Sequence, residues 1–84
     1  MRCLLFRAIQ PDRAKPQTPY TFFVREAGQV RLPAGAERIA ENVWLFCLPD
    51  NDALLATFRS IAKKHDSACQ MLEFERGSSW QPVL

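Results

Sequence analysis

Net charge, glycine and long apolar runs are all scarce in this chain. Eleven Lys and Arg stand against nine Asp and Glu, a balance of +2, which by itself points to no polyanionic partner. Only three glycines occur, and none forms the Gly-rich loop that cradles a phosphate, so a nucleotide site lacks its usual frame. The three cysteines, Cys3, Cys47 and Cys69, include no Cys-x-x-Cys. That removes the spacing of a zinc knuckle and of a thioredoxin-type redox pair. The longest apolar run, Val43–Leu48, has six residues, where a membrane helix needs about twenty. The opening Met-Arg-Cys-Leu-Leu-Phe-Arg holds an apolar stretch too short for the core of a secretory signal. With an odd number of cysteines, this leads us to expect a cytoplasmic protein whose thiols are reduced and serve packing. No cofactor, metal or membrane partner is expected.

What is present is an ordinary globular mixture, 48% apolar and 24% charged over 84 residues. This is enough for one small domain spanning residues 1–84. A domain of this size has a net stability on the order of 5 kcal/mol. It therefore has little room for exposed apolar surface, and small domains often recruit a partner subunit.

Along the chain, residues 2–9 alternate as a first strand. Residues 10–19 carry Pro11, Pro16 and Pro19, which forbids a regular element and marks an exposed loop. Residues 20–25, aromatic and β-branched, read as a second strand, followed by a turn and a short third strand at 30–32. Residues 36–42 suit one or two helical turns. Val43–Leu48 reads as a strand covered on both faces. After Pro49, the acids and amide at 50–52 open a helix that runs to His65, with the stripe Leu54, Leu55, Phe58, Ile61 and Ala62. Lys63, Lys64 and His65 complement its C-terminal dipole. Residues 68–75 form a last strand, and residues 77–84 form a tail. The spacing predicts an α+β domain: a mixed sheet of four to five strands, one principal helix on one face, and a C-terminal β-α-β unit with adjacent parallel strands.

Candidate chemistry is sparse. Asp50, Asn51 and Asp52 suit magnesium ligation, but they suit capping of the helix start better. His65 with Lys63, Lys64 and Asp66 resembles a base with a phosphate clamp, yet consecutive helical residues diverge and cannot converge on one substrate. Catalytic residues are not identified, and the balance leans against an enzyme.

Two function classes remain. The leading one is a non-enzymatic, self-associating protein-interaction module. In the strand Val43–Leu48, Val43, Leu45 and Cys47 share one side, while Trp44, Phe46 and Leu48 share the other. One helix covers only one face, and a bare apolar face calls for a cover. A homodimer, or another protein partner, meets that need, as would the tail at 80–84 folding back over the chain's own sheet; the sequence does not separate these. Trp44, Phe46, Leu48 and the tail residue Trp80 are the candidate interaction surface, although the pattern does not say which face the helix takes. The alternative is a small nucleic-acid-binding or nuclease-like domain using the basic first half, with Arg7, Arg13, Lys15, Arg25 and Arg31 as contacts. Tyr20, Phe22 and Phe23 would supply a stacking strand. Against it, the RNA-recognition order needs a helix between the first two strands, where the sequence places a Pro-rich loop.

Overall fold

A computed structural model describes residues 2–10, 19–75 and 83. Its elements are β1 (Arg2–Ala8), α1 (Pro19–Ala27), β2 (Ala36–Ala40), β3 (Val43–Leu48), α2 (Asp52–His65) and β4 (Cys69–Glu75). The α+β class stands, with four strands ordered β2-β3-β1-β4. Every neighbouring pair is antiparallel, so the sheet is not mixed. β3 and β4 do run in the same direction on either side of α2. They are not adjacent, because β1 lies between them. This is the split β-α-β, or ferredoxin-like, arrangement.

The segment expected as a second strand is a helix, α1. Pro19 occupies its first position, where a missing N–H costs nothing and the fixed φ suits a helix. Tyr20, Phe23, Val24 and Ala27 then recur at the 3- and 4-residue spacing of one helical face. Phe23, Val24 and Ala27 are buried, and Tyr20 packs against the same core. Aromatic β-propensity is a weak guide beside that spacing. Residues 30–32 form no strand, and Val30 and Leu32 instead lean on the core.

The second correction lies at residues 36–42, which form strand β2 and the turn into β3 rather than helical turns. β2 is an edge strand with a register shift between Arg38 and Ala40. Its one large apolar residue, Ile39, is 53% exposed, so the segment carries almost no burial pattern to read. Gly35 enters β2 with φ +85°, a conformation that side chains rarely adopt, and a Cβ there would crowd Asn51 Nδ2 at 3.1 Å.

Helix α2 follows the sequence reading. Phe58 and Ile61 are buried, and Leu54, Leu55 and Ala62 pack around the same core. Its start is fixed differently from the expected cap. Asn51 makes no side-chain capping bond; its Nδ2 donates to the Cys47 carbonyl at 2.9 Å, tying the helix start to β3. At the other end Asp66 adopts the left-handed conformation, and Ser67 N–H donates to Ala62 O at 2.9 Å, closing the last turn.

Both helices lie against one face of the sheet. Phe58 is the centre of a ring cluster. It meets Trp44, Phe46 and Phe6 edge-on at centroid distances of 5.1, 5.2 and 5.6 Å. Phe23 of α1 joins through Phe6 at 6.0 Å and Trp44 at 5.9 Å. Edge-to-face pairs of this kind each add about 0.5–1.5 kcal/mol beyond their area burial.

Candidate interaction surface

The ring cluster decides which side of β3 the sequence could not assign. Trp44 and Phe46 are fully buried beneath the helices, and Leu48 is half-buried at the margin of the same core. Trp44 and Phe46 are therefore packing residues, unavailable to a partner, while Leu48 keeps part of its surface exposed. Trp80 falls outside the described residues, and so do Arg13 and Lys15. Of the tail, Val83 is described and is exposed.

The opposite face is set by strand alternation. β1 places Cys3, Leu5 and Arg7 there, and their cross-strand partners follow: Cys47, Leu45 and Val43 on β3, with Phe74, Leu72 and Gln70 on β4. This face is not uniform. Cys3 and Leu45 are buried, Leu5, Val43, Cys47 and Phe74 are half-buried, and Leu72 is 61% exposed. Its more open end is a shallow hollow of about 590 Å³ lined by Leu5, Arg7, Val43, Gln70, Met71 and Leu72. Arg7 Nε donates to Gln70 Oε1 at 2.9 Å, which pins the charged side chain along one rim; Leu5 and Val43 are the half-buried part of the lining and Leu72 its exposed part. Met71, at the edge, is 45% exposed.

A second hollow, about 420 Å³, lies between α2 and β4 and is lined by residues including Phe6, Arg59, Lys63, Ser67 and Cys69. Ser67 Oγ is buried there without a hydrogen-bond partner. Burial pushes the Cys69 thiol's pKa upward.

The charged end of α2 is divided between two directions. Lys63 lines the α2–β4 hollow. Lys64 Nζ and His65 Nε2 turn to α1, donating to Glu26 Oε1 at 2.9 and 2.8 Å. The His65 ring also stacks on Phe22 at 5.9 Å. Both bonds, the Lys64 one foremost, hold the Glu26 carboxyl below its ordinary pKa. His65 thus links two helices, and the four residues 63–66 do not converge on one site.

The basic residues of the first half are also dispersed. Arg7 lies on the open sheet face, Arg25 sits over Phe22 on α1, and Arg31 is exposed in the connection to β2. Arg38, over the Trp44 ring at 5.2 Å, donates to the Glu41 carbonyl. The helix that an RNA-recognition order requires between the first two strands is present after all. The stacking platform is what the geometry withholds: Tyr20, Phe22 and Phe23 are on α1, and Phe6, Trp44 and Phe46 face the helices. On the open face the central strands present thiols, aliphatic groups and Arg7. Among the described residues the aromatic there is Phe74, on edge strand β4.

No helix is long and apolar enough to cross a membrane among the described residues, and none of their His, Cys, Asp and Glu side chains cluster as metal ligands. No family model, curated protein or solved structure matches the chain.

Proposed function

We propose that this domain is a non-enzymatic, self-associating interaction module that uses the sheet face opposite its helices. The observation that carries the reading is the exposed Leu72 beside the Leu5–Val43 hollow. A two-fold interface brings the same patch of each copy together, so a projecting side chain must find a recess on the identical surface. Leu72 and the hollow supply both halves within one patch. Burying the leucine on each side removes apolar area from water at about 25 cal/mol per Å², a useful gain for a domain with so small a core. The site has apolar contact surface and a pinned arginine at the rim, an arrangement suited to contact between proteins.

Sedimentation equilibrium at micromolar concentration tests this. The expected result is a concentration-dependent mass rising toward twice the 9.6 kDa of the chain. A constant mass of 9.6 kDa would remove self-association and leave the tail at 80–84 as the cover to test. The nucleic-acid reading has less support, because the open face of the central strands offers no ring for stacking. Salt-sensitive binding of labelled RNA, weakened by Arg7→Gln, would revive it.

A further inference from the structure

Cys3 and Cys47 are directly opposed across the two central strands, and they share the face away from the helices. The hydrogen-bond pattern shows what kind of pair they form. Ala8 N–H donates to Asn42 O, and Asn42 Nδ2 donates to Ala8 O, so the peptide groups of Ala8 point toward β3. Ile9 N–H donates instead to Ala68 O on the β4 side. Alternation then turns the peptide groups of Cys3 toward β4. Cys47 N–H donates to Gly35 O, on the side away from β1. Neither cysteine bonds its opposite number through the backbone, so they are a non-hydrogen-bonded pair. In such pairs the Cα atoms are about 4.5 Å apart and the side chains come closest. Disulfides span Cα separations of about 4.4–6.8 Å, so the backbone spacing of such a pair lies within the range that a disulfide bridges.

We propose that Cys3 and Cys47 are a redox modification site, forming a reversible cross-strand disulfide on exposure to a disulfide oxidant of the glutathione disulfide type. The two residues divide the work by exposure. Cys47 is half-buried and within reach of a reagent, whereas Cys3 is fully buried. The Cys47 thiolate attacks one sulfur of the oxidant and releases one glutathione thiolate, leaving a mixed disulfide on Cys47. The Cys3 thiolate then attacks the Cys47 sulfur and displaces the second glutathione. Two protein thiols lose two protons and two electrons, and the oxidant becomes two glutathione thiols. Cys69 cannot compete, because it pairs with Ala8 on the helix face and the sheet separates it from the other two. The thiols are therefore more than packing groups, and Cys47 is less shielded than its place in an apolar strand suggests.

The test uses the whole chain, dilute and folded, incubated with glutathione disulfide, then alkylated in denaturant and mapped by mass spectrometry. The expected product is an intramolecular Cys3–Cys47 link with Cys69 still alkylated, reversed by dithiothreitol. Cys3→Ala is expected to stop at a persistent glutathione adduct on Cys47, and Cys47→Ala to give no link and no adduct on the buried Cys3. The map of the unaltered chain decides the matter if either variant fails to fold. Three intact thiols, a lasting glutathione adduct on the unaltered chain, or a link through Cys69 or between chains would each overturn the proposal.

Discussion

The two faces of this sheet are both apolar, yet they are organised in opposite ways. One is a cluster of rings, Phe6, Trp44 and Phe46, closed by Phe23 and Phe58 from the helices. The other carries smaller groups on its central strands, Leu5, Val43 and Leu45 with two thiols, flanked by Leu72 and Phe74 on β4. The difference teaches that apolarity alone does not mark a surface for a partner. Large flat rings demand neighbours on every side and take the helices. Aliphatic groups tolerate partial cover, and the face that carries them is the one on which the proposed association would have to form.

The sharpest way to break the comparison is to remove the ring on which the first face closes. Phe58→Ala leaves a cavity against four aromatic partners, Phe6, Phe23, Trp44 and Phe46, and is expected to cost about 3–5 kcal/mol, most of the stability of so small a domain. A denaturant melt within about 1 kcal/mol of the unaltered protein would show that the helix face is not the core. Next in size is Asn51→Ala. Asn51 is buried, and its side chain joins the start of α2 to the Cys47 carbonyl. Its loss leaves that carbonyl with one partner fewer and is expected to cost about 1–3 kcal/mol, read by the same melt.

The smallest effect concerns the link between the helices. The Glu26 carboxyl is held below its ordinary pKa by Lys64 first and His65 second. A depressed carboxylate adds stability that is present above the unfolded-state value and lost as the pH falls through the folded-state value. Glu26→Gln is therefore expected to be slightly less stable than the unaltered protein near neutral pH. The difference is expected to shrink to nothing as the pH falls below the ordinary glutamate range. A pH series of thermal midpoints checks it, and a gap that widens on acidification would contradict the assignment.

How much of this was legible in the sequence differs from element to element. α2 was readable because its apolar stripe, opening acids and closing bases all agree. β3 was readable because six consecutive apolar residues fit a central strand. α1 was misread because Tyr20, Phe22 and Phe23 favour strands locally, while the helical spacing of Tyr20, Phe23, Val24 and Ala27 and the position of Pro19 carry the true signal. β2 left little to read, since an exposed edge strand needs no alternating burial. The burial of Trp44 and Phe46 was not legible, because alternation separates Trp44, Phe46 and Leu48 from Val43, Leu45 and Cys47 without saying which set meets the helices. Side-chain size held the missing cue: Phe23 and Phe58 on the helical stripes match the rings at Phe6, Trp44 and Phe46. The antiparallel order eluded sequence reading for a topological reason, because nothing local announces that β1 inserts between β3 and β4.

The division of labour between the faces is tested most directly by Leu72→Lys, followed in one preparation by sedimentation equilibrium and thermal melting. Leu72 is 61% exposed, so its replacement should leave the folded chain within about 0.5 kcal/mol of its original stability. The account predicts that melting is unchanged once measured on the separated chains, while the mass falls to 9.6 kDa at concentrations where the unaltered protein associates. A variant that still associates as the unaltered protein does, or one that loses its fold, would contradict it.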